Sequence, residues 1–369
     1  MIPYIKDSRE SHHLLSDTIS CVVTEERNGK YELKMTCDVS GENVDMIELF
    51  GTVYVKPNDD DEDQEFRIYR ITKTVKGRLT IYGEHISYKM SGWPVMPFTY
   101  TGNAAEIAEE ALSKAWGLYF DSFEFATDIS ISKEFTLDQP RALRAILLGE
   151  EGSILQKFQG EWKFDNRKAT LMQSRGKDTN VSIVYGKNIT DLTYDDSIAD
   201  VYNAILPFWY GDYNGVPTLV TITHSVPLVY TNNNSSFPYP KGMVVDLTSE
   251  FSSKPTSEQL YSAAESYIES NGVGTPDISI NVNFVPLWQV KGLEYLRQLE
   301  KVSLCDTVSV IVPHLNIATN AKVVETQYNV LKERYDSIRI GTVKKNFVGK
   351  ISGDLNNIRS VVDQLKRMR

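Results

Sequence analysis

The densest chemistry in the sequence is an acidic run, Asp59-Asp60-Asp61-Glu62-Asp63. Asp59, Asp61 and Asp63 fall at the first, third and fifth positions of an EF-hand calcium loop. The sixth position is Gln64 instead of the glycine the tight turn needs, and the twelfth is Arg70 instead of a bidentate glutamate. The run therefore reads as a solvated loop tip with at most weak Ca²⁺ affinity. Five histidines are present, His12, His13, His85, His224 and His314, and none stands beside a nucleophile and an orienting carboxylate at a recognisable spacing. The cysteines Cys21, Cys37 and Cys305 are three, an odd and sparse set that suits small apolar residues in a reducing compartment. Phe208-Trp209-Tyr210 is an aromatic cluster that suits a core or subunit interface, or alternatively a sugar-stacking platform. No zinc-protease, nucleophile-elbow, Walker, dinucleotide or paired-cysteine motif occurs. The residues alone assign no catalytic, cofactor-binding or metal-binding position.

The elements that must hold these residues are β-rich. The chain has 369 residues, 41% of them hydrophobic and 11% aromatic, enough for several packed domains. Its net charge of −10 argues against a surface that grips phosphate generally. No apolar run reaches the ~20 residues of a membrane span. Met1 to Asp17 is polar, so no secretion signal is expected. The glycan-acceptor patterns at Asn180 and Asn188 therefore carry no weight.

Strand-like runs cover Asp17–Thr24, Tyr31–Asp38, Met46–Val55, Glu65–Thr74 and Arg78–Tyr88, with an Asn28-Gly29 turn between the first two. Trp93-Pro94-Val95-Met96-Pro97 breaks the pattern. A helix follows at Ala104, Ile107, Ala108, Ala111, Leu112 and Ala115. A second is expected at Pro140–Leu148, with Asp138 as its cap and Gly149 at its end. Strand patterns return from Val181 onward. Thr256 with Gln259 forms a capping box for a helix over about 257–270, ended by Gly272. Leu355, Ile358, Val362 and Leu365 mark a C-terminal helix, expected to be an assembly element outside the core.

Two stretches carry a family resemblance. The first is Gly160-Glu161-Trp162-Lys163-Phe164-Asp165-Asn166, continuing through Arg175-Gly176-Lys177-Asp178 to Val184-Tyr185-Gly186-Lys187-Asn188-Ile189. The second is Leu304-Cys305-Asp306-Thr307-Val308-Ser309-Val310, followed by Lys322 to Tyr335. Together they resemble the prophage endopeptidase tail family, the N-terminal structural region of tail-associated lysins, in an order covering about residues 1–350. Cys305 stands where the resemblance leads one to expect glycine.

The resemblance implies a virion structural protein at the tail tip or baseplate of a siphophage of a Gram-positive host, made in the bacterial cytoplasm. It implies a homotrimeric hub that contacts the distal tail protein, the tape measure protein and a receptor-binding protein. Phage DNA would pass through its channel without specific binding, and no membrane insertion or cofactor is implied. Many family members carry a long hydrolytic C-terminal extension. None is visible after Arg369, so the expectation is a non-enzyme. A cell-wall peptidase or glycosidase, and a saccharide-binding tail-tip module, are the alternative readings.

A repeat lies within the sequence. Leu49-Phe50-Gly51-Thr52-Val53-Tyr54-Val55 matches Leu304 to Val310 at Leu, Thr, Val and Val in the same spacing, and a strand pair follows each copy. The fold class expected is α+β and β-rich. Two similar β-barrel hub domains, 1–95 and 181–252 with 301–350, hold two inserted α+β domains, 96–180 and 253–300, with a C-terminal helix at 351–369. Three such chains would present six similar domains to a sixfold tail tube.

Overall fold

The computed structural model describes residues 1–116, 122–149, 152–184, 189–197, 201–223, 226–274, 277–284, 301–312 and 317–341. The expected C-terminal helix lies outside these residues. The chain divides into two compact units, one of residues 1–194 with 279–343 and one that includes residues 195–278.

The first unit opens with β1 (Tyr4–Lys6), β2 (His12–Leu14), β3 (Thr18–Glu26), β4 (Tyr31–Asp38), β5 (Thr52–Val55), β6 (Gln64–Lys73) and β7 (Arg78–His85). Their alternation is that of half-buried antiparallel strands. In β4, Tyr31, Leu33, Met35 and Cys37 point into the core while the residues between them stay accessible. The short strands β1 and β2, unexpected in the polar N-terminus, extend the sheet beyond β5. Cys21 and Cys37 are buried free thiols.

Next come β8 (Pro94–Val95), β9 (Phe98–Gly102), α1 (Ala104–Ser113), β10 (Glu124–Thr127), β11 (Lys133–Leu137), β12 (Arg141–Ala142), α2 (Leu143–Leu148), α3 (Ile154–Phe158), β13 (Glu161–Asp165) and β14 (Lys168–Met172). Asn103 and Glu106 close a capping box on α1. The second helix starts at Leu143, three residues later than expected. Arg141 and Ala142 pair with Val95 and Pro94 instead, so Pro140 precedes a strand and Asp138 caps nothing in that helix.

β15 (Asp178–Val184) and β16 (Ile189–Ser197) lead into the second unit, which holds β17 (Ala204–Tyr213), β18 (Val216–Thr221), β19 (Val229–Tyr230), β20 (Gly242–Asp246) and α4 (Ser257–Asn271). β17 pairs with β18, β19 and β20, and α4 packs on the sheet through Leu260, Ala264 and Ile268 against Ile205, Met243 and Val245. Strands 204–246, assigned from the sequence to the second β-barrel domain, thus share a separate core with the 257–271 helix. Alternating patterns reveal strands but not which sheet receives them. The expected capping box of α4 is present, and Gly272 ends the helix at φ 57°.

β21 (Asp277–Phe284), β22 (Thr307–Val312), β23 (Ile317–Asn329) and β24 (Arg334–Gly341) complete the chain's described strands. The first unit holds a 13-stranded sheet in the order β16-β21-β24-β23-β3-β4-β7-β6-β5-β1-β2, with β22 beside β23 and β15 beside β22. The two expected barrels are not seen, and no sheet closes among the described residues. The reason is the junction: β23 pairs antiparallel with β3, Glu325 opposite Glu26 and Asn329 opposite Val22, which joins the two halves edge to edge.

The halves repeat. In chain order β3, β4, β5, β6 and β7 correspond to β16, β21, β22, β23 and β24, and their spatial order is the same. The turns entering β5 and β22 are alike: Gly51 N–H bonds Glu48 O at 3.2 Å, and Asp306 N–H bonds Ser303 O at 3.1 Å. Phe50 and Cys305 both take positive φ, 69° and 72°. Phe50 donates to Ile68 O and Ile68 to Gly51 O, as Cys305 donates to Val323 O and Val323 to Asp306 O. Thr52 then faces Arg67, and Thr307 faces Lys322. Both ladders carry a bulge at the next residue, Tyr69 and Val324. The outer neighbours of β5 and β22 differ, β1 being antiparallel to β5 and β15 parallel to β22.

Candidate functional site

The acidic run is a structural staple. Asn58 Oδ1 accepts the backbone N–H groups of Asp60 and Asp61 at 2.8 Å each, and its Nδ2 donates to Asp61 Oδ2 at 2.8 Å. This Asx-type turn sends the carboxylates in different directions. Asp59 accepts from Tyr328 Oη at 3.0 Å. Asp60 pairs with Lys301 and accepts from Ser303 Oγ. Asp61 pairs with Lys163 at 2.7 Å and its side chain is 13% exposed. Asp59, Asp61 and Asp63 therefore do not converge on one cation, and the solvated-tip expectation is overturned: the loop is fastened to β13, β23 and the turn before β22.

Burial pushes the Asp61 carboxyl up, but Asn58 and Lys163 pull it down further, leaving it below the usual carboxylate range. Asp60 follows the same logic, with Lys301 and Ser303 outweighing burial.

A second charged cluster lies in the same unit. Glu161, 1% exposed in its side chain, receives Lys322 Nζ at 2.7 Å and has Arg27 Nε 2.8 Å away. Its other oxygen accepts the Arg175 N–H at 2.7 Å. The Arg175 guanidinium pairs with Glu25 at 2.6 Å. Burial raises the Glu161 carboxyl, and Lys322, Arg27 and the Arg175 amide more than reverse the shift. Between the clusters lies a cavity of about 200 Å³ lined by Glu25, Asp60, Asp61, Lys163, Arg175 and Tyr335 among others. Glu25, Asp60 and Asp61 each face a cation, and the Asp306 carboxylate accepts the Lys177 and Ser303 N–H groups, so the carboxylates are arranged to hold segments together.

Both clusters depend on the β13–β14 hairpin. Gly160, at φ 108°, has no room for a Cβ, which would stand 2.5 Å from Met172 O. Asn28, at the β3–β4 turn with φ 53°, accepts from Trp162 N–H at 2.8 Å and donates to Gly160 O at 2.9 Å. At the hairpin tip, the Asn166 side chain accepts from Glu65 N–H and donates to Asp63 O, and the Asn166 backbone N–H donates to Gln64 Oε1. Gln64 continues to His85, which is fully buried, bonded to Ser87 and stacked on Tyr31 with centroids 4.3 Å apart. Burial, with Arg144 and Arg167 nearby, holds the His85 imidazole well below its ordinary pKa.

His12 stacks on Tyr4 and His13 pairs with Asp7; His224 and His314 lie outside the described residues. Trp209, offered as a sugar platform, is 4% exposed and belongs to the core under α4, so no stacking face is available there. Among the described residues, no three His, Cys, Asp or Glu side chains gather as a metal cluster, and no helix is long and apolar enough to cross a membrane. The clamp was missed in the sequence because charge runs identify acids, not partners some 100 residues away; Asn58 ahead of the acids was the available local signal.

The fold and one segment of the sequence resemble those of prophage tail proteins. Residues 177–351 match the prophage endopeptidase tail family, a stretch that holds the Leu304–Val310 and Lys322–Tyr335 motifs. Over 98% of this chain and all of the other, the fold resembles prophage tail protein gp18 from Listeria monocytogenes EGD-e, with 14% identity and a TM-score of 0.63. The 43 kDa tail protein of prophage MuSo2 from Shewanella oneidensis aligns over 94% of this chain and 99% of its own, with 10% identity and a TM-score of 0.63. A tail protein from Neisseria meningitidis MC58 aligns over 92% and 96%, with 8% identity and a TM-score of 0.58. No curated protein matches in sequence. The glycine expected at Cys305 has a physical reason, since that residue adopts a left-handed conformation.

Proposed function

We propose that this protein is a structural, non-catalytic component of a phage-type tail tip: a hub of three identical chains that joins the tail tube and distal tail protein to the tip. The observation that carries the reading is the internal repeat. Each chain holds two five-strand units with the same strand order, turn, bulge and register. Three chains then offer six similar units, the number a sixfold tube requires. The likeness to prophage tail proteins over nearly the whole chain supports the same class.

In this reading the distal tail protein and the end of the tape measure protein contact the ring, a receptor-binding protein attaches below, and DNA passes a channel whose net negative protein does not grip it. The paired carboxylates have a mechanical role, keeping the repeats rigid against one another. Native mass measurement tests the proposal, alone and with the distal tail protein. A trimer in either condition is expected, and a strict monomer in both overturns the hub. Zymography on peptidoglycan is expected to show no clearing; clearing lost on substituting one carboxylate would restore the hydrolase reading.

A further inference from the structure

The two repeats are alike in backbone and unlike in what covers them. In the second repeat, Leu304, Cys305 and Val324 are 6%, 1% and 8% exposed. Their counterparts in the first repeat, Leu49, Phe50 and Tyr69, are 52%, 81% and 47% exposed. The strand edges differ in the same way. Beyond its bulge, β23 is covered by β3, with Thr326 opposite Glu25 and Tyr328 opposite Val23. Arg27 N–H donates to Val324 O and Val330 N–H to Cys21 O, at 2.9 Å each, closing that edge at both ends.

On β6 the equivalent edge, Tyr69 to Lys73, has no strand beside it among the described residues. Thr74 bonds Arg78 across the hairpin, so the alternate residues Ile71 and Lys73 turn their peptide groups away from β7, toward the open side. The counterpart of β3 in the second repeat is β16, which ends the sheet, with no strand on its outer side among the described residues. Among the described residues, one chain thus carries both halves of a junction that it makes once internally.

We propose that β16 of a second copy of this chain adds antiparallel to the Tyr69–Lys73 edge of β6, repeating between chains the β23–β3 junction made within each chain, and that Tyr69 belongs to the apolar surface this contact covers. The proposal deepens the hub reading and rests on it for the number of copies. Charge favours the match. The β6–β7 hairpin carries Arg70, Lys73, Lys76 and Arg78, and β16 carries Asp191, Asp195 and Asp196. Open edges of this kind are covered, charged or paired in native proteins, and strand addition supplies main-chain hydrogen bonds together with side-chain selectivity. The contact is head to tail, so its repetition makes a ring if the rotation closes.

Disulfide trapping tests it on the full chain. Lys73→Cys is combined in turn with cysteine at each position from Asp191 to Asp196, and the products of mild oxidation are separated by mass. Cross-linking at alternate positions, in a ladder that stops at three chains, is the expected result. A ladder that runs past three overturns the closed ring. No cross-link above a Lys73→Cys, Ser235→Cys control, in a sample whose native mass is still trimeric, overturns the edge assignment and leaves the hub standing. A strict monomer with and without the distal tail protein overturns both. Cross-linking of Lys73→Cys to the distal tail protein instead of to β16 also overturns the assignment. As a second measurement, Tyr69→Ser is expected to weaken self-association by about tenfold while the monomer's melting temperature holds. Unchanged association overturns the role of Tyr69.

Discussion

At the residue scale, the buried ionisable groups have opposite pH signatures. His85 is neutral in the folded protein because burial, with Arg144 and Arg167, disfavours the imidazolium. The unfolded chain binds that proton near the ordinary value of 6.5, so folding stability is complete above it and declines as pH falls below it. The slope is about 1.4 kcal/mol per pH unit for the one proton. His85→Gln is expected to be destabilised at pH 7.5 and to lack this slope between pH 6.5 and 5, as read by urea midpoints across that range. Equal slopes would show that another group titrates. Glu161 behaves in the reverse sense: its folded pKa is lowered, so its contribution is present above the unfolded carboxylate value and is lost as pH falls through the folded one. Glu161→Gln keeps the size but strips Arg27 and Lys322 of their shared counter-charge. It is expected to lower stability at pH 7 by about 3 kcal/mol, with an unchanged urea m-value.

At the scale of elements, the β3–β4 turn does more than reverse the chain. Asn28 tolerates φ 53° and uses both ends of its amide to hold the start of β13. Asn28→Ala loses two hydrogen bonds and places alanine in a left-handed conformation, for an expected loss of about 2–3 kcal/mol. Asn28→Gly removes the strain but not the lost bonds and should recover about 1 kcal/mol of it, measured by denaturant unfolding. If the two variants are equally destabilised, the αL conformation contributes nothing. The same reasoning explains Gly160, where any side chain meets the Met172 carbonyl.

For the whole molecule, the unit containing residues 195–278 interrupts the second repeat between β16 and β21, where the first repeat has only the Arg27–Lys30 turn between β3 and β4. It carries its own core of β17, β20 and α4. Calorimetry is therefore expected to show two transitions, since separate cores need not unfold together. Leu260→Ala, at a fully buried position on the inner face of α4, should lower one transition by several degrees, from a loss of about 2–5 kcal/mol, and leave the other in place. A single transition that shifts as a whole would mean that the cores are coupled.

The sequence by itself determined whatever depends on near neighbours. The Thr256–Gln259 box, the Gly272 stop, the Tyr31–Asp38 alternation and the Asn28-Gly29 turn are local chemistry, and each was legible without coordinates. The repeat was legible too, because an identical turn at Phe50 and Cys305 imposes the same strand pattern after it. The tertiary structure decided the pairings that span long stretches of chain. It placed 204–246 in a separate sheet, joined the repeats through β23 and β3 instead of closing two barrels, and turned an acidic run from a solvated tip into a clamp. The physical reason is shared by all three. A pleated strand has two edges and a carboxylate has several lone pairs, and which partner satisfies them is set by the packing of distant segments, about which neighbouring residues carry no information.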